Sequence, residues 1–152
     1  MPIITICSSA NFYKKVNDVA DQLKPLGIDS IVPLTATKMK ASGDYDASHH
    51  RTWLENDNDY DKKAALMRTH FDEVAKGDAA LVINEEKHGV ANYIGGNVLM
   101  EMAIAFYLKK PIFILNEIPE ASSFLEEIKG MMPTVLHGDV TRLPALYKEL
   151  TR

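Results

Sequence analysis

The chain has little cysteine and no long apolar run. Cys7 is the single thiol among 152 residues, so an internal disulfide is excluded. A lone cysteine fits a reducing compartment, and we expect a cytoplasmic protein. No apolar stretch approaches the roughly 20 residues that a membrane-spanning helix needs. The first residues also lack the basic start and long apolar core of a signal peptide. The sequence therefore predicts no membrane partner.

Several functional motifs are missing too. No Gly-x-Gly-x-x-Gly follows the first apolar run, and there is no Walker-type Gly-Lys-Ser/Thr. The five histidines lack the spacing of metal ligands, since His49 and His50 are adjacent and no His-Glu-x-x-His occurs. The net charge of −4 supplies no basic face for a nucleic-acid backbone, although a few local cations could hold a small anion. We therefore expect no metal, no cofactor and no nucleic-acid polymer.

What is present is the composition and periodicity of one α/β domain. The hydrophobic fraction of 46% and charged fraction of 25% are typical of globular proteins, and residues 1–152 fit a single domain. Short β-branched runs alternate with amphipathic stretches. This alternation predicts a single flavodoxin-like (Rossmann-like) doubly wound domain, with a five-stranded parallel sheet and helices on both faces. The predicted strands are 3–7, 28–34, 79–84, 111–116 and 134–137, and the predicted helices are 12–26, 64–76, 97–109, 122–129 and 142–151.

One segment interrupts this alternation. Residues 35–63 are polar and rich in turn-forming residues, and a loop of that length in a compact domain is usually functional or disordered. We predict a mobile lid that contains a short helix around 51–55, with Trp53 as its packing anchor. The alternative is a solvated insertion without a role.

The segment from Tyr93 to Asn116 combines a glycine turn, an apolar helix and a buried strand. Gly95 and Gly96 are expected to turn the backbone tightly, because glycine tolerates positive φ. Glu101 follows in what we predict to be the first helical turn, between Met100 and Met102. A carboxylate between apolar residues at a loop mouth is a candidate nucleophile or base. The alternative is that Glu101 only complements the helix dipole.

Further site candidates follow from the rule that ligands bind beyond the carboxyl ends of the strands. Ser8 and Ser9 could offer hydroxyl and N–H groups to a phosphate or sugar, or they could cap the first helix. Tyr93 could stack on a base or pack the loop. The other polar or flexible residues at these strand ends are Asn84, which is expected to order its loop, and Gly95, Gly96, Asn97 and Asn116.

This arrangement resembles the nucleoside 2-deoxyribosyltransferase family, which includes the deoxynucleoside monophosphate N-glycosidases. The shared features are strand 79–84, an irregular loop, Gly95-Gly96, helix-borne Glu101, Ala103-Ile-Ala105 and a strand after Lys110-Pro111. The resemblance spans nearly the whole chain. It implies that Glu101 attacks the anomeric carbon of a nucleoside and that the protein is a homodimer.

The resemblance also implies further site residues, and the chain differs from the family at several positions. The family's aspartate on the helix before the third strand corresponds to His70, with Asp72 two residues later, and histidine can transfer protons near neutral pH. Cys7 stands where the family often has tyrosine, and Leu125 stands near a position where the family has a polar residue that reaches a neighbouring subunit.

The function expected from these features is cleavage or transfer at the N-glycosidic bond of a nucleoside or nucleotide. Glu101 would be the nucleophile, with His70 and Asp72 as catalytic helpers. Two alternatives stay open. One is a non-catalytic nucleotide-binding or sensor domain of the same fold. The other is a phosphoribohydrolase of the lysine-decarboxylase-like type, whose Gly-Gly loop also leads to a helix-borne glutamate.

Overall fold

A computed structural model describes residues 1–152 as a five-stranded, all-parallel sheet. The strand order is β2-β1-β3-β4-β5, which is the flavodoxin-like order, so the predicted fold class is confirmed. Ser8 pairs with Ile83, so β1 and β3 end at the same level. The loops that follow these two strands therefore begin side by side. The strands are β1 (Ile3–Ser8), β2 (Asp29–Ile31), β3 (Ala79–Ile83), β4 (Ile112–Ile114) and β5 (Thr134–Val135).

Six helices connect and cover the strands. None of them is long and apolar enough to cross a membrane. Short 3₁₀ turns extend α1 at both ends, over Ala10–Phe12 and Lys24–Leu26, which together match the predicted helix 12–26. The helices are α1 (Tyr13–Leu23), α2 (Leu34–Ser42), α3 (Tyr60–Lys76), α4 (Gly96–Tyr107), α5 (Leu125–Gly130) and α6 (Leu143–Leu150).

The buried side chains alternate between the two faces of the sheet, as the two-residue period of a strand requires. Along β3, Leu81 and Ile83 join the core beneath α1 and α6, whereas Ala80 and Val82 join the core beneath α3, α4 and α5. Cys7 belongs to the second core, on the face that α4 covers. Helices therefore pack on both faces, and α3 and α4 are brought together on one of them.

Residues 35–63, predicted as a polar lid that contains a short helix around 51–55, hold more regular structure than predicted, although a 3₁₀ turn over Thr52–Leu54 matches the short helix. The segment begins with α2, whose Ala36 and Met39 are fully buried and which packs against α1. It ends inside α3, which starts at Tyr60 rather than at residue 64. Three 3₁₀ turns lie between them, over Ala47–His50, Thr52–Leu54 and Asp57–Asp59. The expected packing role of Trp53 is confirmed, because its side chain is buried.

Two expectations for the glycine turn and its helix are wrong. Neither Gly95 nor Gly96 has a positive φ, and Gly95 is extended at φ −88°. A Cβ at Gly95 would lie 3.0 Å from the Tyr93 hydroxyl, so this glycine permits close packing of that ring. Because α4 already begins at Gly96, its first turn carries no acid and Glu101 lies in the second turn.

Candidate functional site

A cavity of about 320 Å³ opens at the carboxyl ends of β1 and β3, where the strand order reverses. Its walls come from the turn after β1, the loop before α4, one side of α3 and the segment between α2 and α3. The lining residues are Ser8, Ser9, Ala10, Tyr13, Thr35, His50, Arg51, Trp53, Lys63, Leu66, Met67, His70, Phe71, Lys87, Tyr93, Gly95, Gly96, Asn97, Val98 and Glu101.

Glu101 and His70 form a buried pair in this cavity. Glu101 is only 6% exposed, and its Oε1 lies 3.1 Å from Nδ1 of His70. The remaining oxygen, Oε2, is buried without a hydrogen-bond partner, and so is Nε2 of His70. An unpaired buried polar atom typically costs about 1–3 kcal/mol, so such atoms call for an explanation beyond packing. The helix dipole does not explain this glutamate either, because its effect falls off within the first turn.

Two neutral side chains lie close to the Glu101 carboxylate. Burial raises the pKa of the Cys7 thiol well above its usual value, and the negative charge of Glu101 and a side-chain contact with that carboxylate raise it further. The same two causes raise the pKa of the Tyr13 phenol. Both groups therefore stay protonated at neutral pH. Cys7 is not a thiolate nucleophile in this setting, and Tyr13 offers a hydroxyl to the cavity.

Three cations line the same cavity. Arg51, Lys63 and Lys87 are each half-buried, and none of them forms an ion pair with a carboxylate. Nζ of Lys63 lies 5.3 Å from the centre of the Trp53 ring, and Nζ of Lys87 lies 4.8 Å from that of Tyr93. Burial, followed by the charge of Arg51, lowers the pKa of both lysines.

The structure brings most of the predicted site residues together. Glu101 and His70 meet, and the glycine loop supplies Gly95, Gly96, Asn97 and Tyr93 to the cavity wall. Ser8 and Ser9 line the cavity as well. The alternative role of these serines as helix caps is not seen, because no side chain caps the first turn.

Three predicted site residues lie elsewhere. Asp72 is exposed on α3 and does not line the cavity, because two residues along a helix turn a side chain by about 200° from His70. Asn84 and Asn116 are also absent from the cavity and brace two loops. Oδ1 of Asn84 accepts from the Asn116 backbone N–H at 2.9 Å, and its Nδ2 donates to the Glu117 carbonyl at 2.9 Å. Asn116 returns a bond to the Asn84 carbonyl at 3.0 Å.

The sequence prediction missed several residues that line the cavity. Tyr13 follows directly on Phe12 and has no pattern of its own, while Lys63 lies near the N-terminus of α3. Arg51 and Lys87 lie in irregular segments far apart in sequence. The sequence offered one signal for them. Ligands bind beyond the carboxyl ends of the strands, so residues in the loops at those ends can lie together in a site.

No side chains of His, Cys, Asp and Glu gather in groups of three or more that could hold a metal ion. No protein-family model and no curated protein matches the chain.

Proposed function

We propose that the protein cleaves or transfers the N-glycosidic bond of a nucleoside or nucleotide, with Glu101 as the nucleophile. The observation that carries the proposal is the state of the Glu101 carboxylate. It is buried in the wall of a cavity, Nδ1 of His70 lies 3.1 Å from one oxygen, and the other oxygen makes no hydrogen bond to a nitrogen or oxygen atom of the chain. The order of glycine loop, helix-borne glutamate and following strand, which resembles the nucleoside 2-deoxyribosyltransferase family, supports the same assignment.

The chemistry follows from the geometry of this pair. Oε2 of Glu101 donates an electron pair to the anomeric carbon while the bond from that carbon to the base nitrogen breaks. The bonding electrons leave on the base, which takes up a proton from water. Water, or a second base, then attacks the same carbon and the carboxylate is released. The contact with His70 Nδ1 involves Oε1, so we assign the attack on the sugar to Oε2, the oxygen without a hydrogen-bond partner.

His70 is suited to handle the proton in the second step. Its ring is mostly buried beside the carboxylate, and Nε2 makes no hydrogen bond within the chain. A positioned histidine that transfers a proton in the transition state contributes about 10²–10⁴-fold in rate. Cys7 and Tyr13 surround the pair with neutral groups, and a negative charge with few polar neighbours interacts strongly with a developing positive sugar.

The test is an incubation of the protein with pooled nucleosides and nucleotides, followed by chromatography for free base. The expected result is release of a base from a subset of the pool. Addition of a different base should then yield a new nucleoside if transfer competes with hydrolysis. A protein that releases no base from any member of the pool would contradict the proposal and favour a non-catalytic nucleotide-binding domain.

A further inference from the structure

The exposed ring of His49 lies between two carboxylates of its own segment. Its Nδ1 lies 2.8 Å from Oδ2 of Asp44, and its Nε2 lies 3.4 Å from Oδ2 of Asp46. A neutral imidazole has one donor nitrogen and one acceptor nitrogen, so one of these contacts would set a lone pair against a negative oxygen. The doubly protonated ring donates in both directions. The arrangement therefore fits the charged form of His49.

Hydrogen bonds to the other carboxylate oxygens hold both aspartates in place around the ring. Oδ1 of Asp44 accepts from the N–H of Asp46 at 3.0 Å. Oδ1 of Asp46 accepts from the N–H of Ser48 at 3.0 Å and from its hydroxyl at 2.6 Å. The N–H of Asp44 in turn donates to the hydroxyl of Ser42, the last residue of α2, at 3.2 Å. His49 thus ties the first 3₁₀ turn after α2 back to the end of that helix.

This turn leads directly into the wall of the candidate cavity. His50 and Arg51 follow His49 in the chain and line the cavity, and Nε2 of His50 is buried without a hydrogen-bond partner. On the other side of the turn, Tyr45 is attached to α1, because its hydroxyl accepts from Nδ2 of Asn17 at 3.4 Å. The contacts of His49 therefore affect how firmly the two cavity-lining residues are held.

We propose that His49, Asp44 and Asp46 form a pH-sensitive latch on the segment that borders the cavity. When His49 is protonated, the latch holds the turn against the end of α2. When His49 loses its proton, one of the two contacts is lost and the segment opens more easily. The latch acts on the segment whatever the cavity binds, so it can stand or fail independently of the proposed reaction.

The two aspartates are the charged groups in contact with the ring. The neighbouring elements add none, because Lys40 on α2 pairs with an aspartate of α1 and Lys62 on α3 pairs with Asp59. The next residue, His50, acts on Asp44, and its charge lowers the pKa of that carboxyl when the ring is protonated. The charge state of His49 is therefore set within the segment itself.

Contacts with the two aspartates also set the pH range of the latch. The hydrogen bond to Asp44, followed by the charges of Asp44 and Asp46, raises the pKa of His49 above its usual value. The stability from a group with a raised pKa is complete below its unfolded pKa and is lost as the pH rises through its folded pKa. Hydrogen bonds from His49 and Ser48 lower the pKa of Asp44 and Asp46, respectively, so the carboxylates lose their charge only in stronger acid. The latch is therefore fastened in mildly acidic solution and released as the pH becomes alkaline.

The first measurement is the titration of His49 by NMR on the full chain. Its pKa should lie above the usual histidine value of about 6.5, and Asp44→Asn and Asp46→Asn should each lower it. The variant His49→Gln identifies the resonance among the five histidines. A pKa of His49 at or below the usual value in the wild type would overturn the latch.

The second measurement is hydrogen exchange of the amides at positions 48, 49 and 51, corrected for the intrinsic rate, at about pH 5.5 and about pH 8.5. At the lower pH, exchange should be about two- to fivefold slower in the wild type than in His49→Gln, because the variant loses two exposed charge contacts. At the higher pH the two proteins should exchange alike. His49→Arg should keep the slow exchange at both pH values, because its guanidinium stays charged and can donate to both carboxylates.

His137→Gln is the matched control, because His137 is a similarly exposed histidine that contacts Glu117 outside the segment. It should leave the exchange of the segment unchanged at both pH values. Thermal unfolding checks that the variants fold, as expected for substitutions of exposed side chains. If the wild type exchanges more slowly than His49→Gln by the same factor at both pH values, His49 acts by packing and the latch is wrong. Equal exchange of the two proteins at the lower pH would also overturn it.

Discussion

At the scale of single residues, Glu101 is the side chain that packing explains least. A neutral glutamine or an aliphatic residue would fill the same volume without the cost of burying a charge. His70 contacts one of its oxygens only, and the other is buried without a partner. A second group that interacts with the free oxygen is therefore needed, and the sugar carbon of a bound nucleoside or nucleotide is the group that we propose.

Gly96 offers a test of how close the ligand approaches. A Cβ built at Gly96 meets no atom within 4 Å, although the residue lines the cavity. Gly96→Ala should therefore stabilise the protein by about 0.4–1 kcal/mol, because alanine restricts the unfolded chain. The added methyl group should at the same time raise the KM for the substrate. Thermal unfolding and steady-state kinetics measure the two effects.

Gly130→Ala is the matched control for this change. Gly130 also has open space at its Cβ position, but it lies on α5 outside the cavity. It should show a comparable gain in stability without a change in KM. An unchanged KM in Gly96→Ala would mean that the ligand does not contact the start of α4.

Single residues also show how much of the candidate site could be predicted from the sequence. Glu101 was predictable because it lies in an apolar helix behind a glycine pair, within one short segment. Asn84 and Asn116 sit at strand ends as the ligand rule demands, but their side chains bond to each other's backbone instead. Arg51, Lys63 and Lys87 were not predictable, because their proximity depends on how three distant segments fold.

At the scale of elements, α2 is the helix that the sequence prediction did not include. The segment lacks a strong apolar period, and only Ala36 and Met39 are buried. The sequence signals for the start and end of a helix were nevertheless present. Pro33 precedes the helix, and Gly43 ends it in the left-handed conformation at φ 75°. Helix 12–26 was found more easily, because its apolar residues repeat along one stripe. Tertiary packing against α1, which the sequence does not display, stabilises α2.

The lid hypothesis makes one prediction for the segment between α2 and α3. Apart from the bond from the Tyr60 N–H to the Asp57 carbonyl, which leads into α3, the turns of residues 44–59 are held by backbone hydrogen bonds within the segment, for example His49 to Asp46 and Asn56 to Thr52. Segments attached in this way open at low free energy. Hydrogen exchange should be faster in residues 44–59 than in α2, and a ligand that contacts Arg51 should slow it. Protection as strong as that of α2 without ligand would rule out a lid.

At the scale of the whole molecule, the fold followed from the alternation of strands and helices. Buried runs such as Ala79–Ile83 are apolar on both faces, which is typical of a parallel sheet covered on both sides. The right-handed connection rule then leaves few topologies, and the flavodoxin-like order is among them. The lengths of the edge strands were less predictable. β2 covers only Asp29–Ile31, because Pro33 lies shortly beyond it and an edge strand has one partner.

We also predict that the protein is a homodimer that uses the outer face of α4. Phe106 is 54% exposed and Tyr107 is 82% exposed on this helix, and exposed Met100 lies seven residues, about two turns, before Tyr107 on the same side of α4. A contiguous apolar face of this kind is typical of an interaction surface. Light scattering at micromolar concentration should report twice the mass of one chain. Phe106→Glu should yield monomer, whereas Met132→Glu, at a more exposed apolar residue elsewhere, should not. A wild type that is monomeric would contradict the prediction.

The most direct test of the account compares base release by the wild type with that by Glu101→Gln. The glutamine keeps the shape of the side chain but removes the charge that would attack the sugar carbon. Base release should fall by about 10⁴-fold or more, while the unfolding temperature stays nearly unchanged. His70→Ala should cost less, about a hundredfold, and Glu149→Gln on the exposed face of α6 should cost nothing. A Glu101→Gln variant that releases base at the wild-type rate would contradict the account.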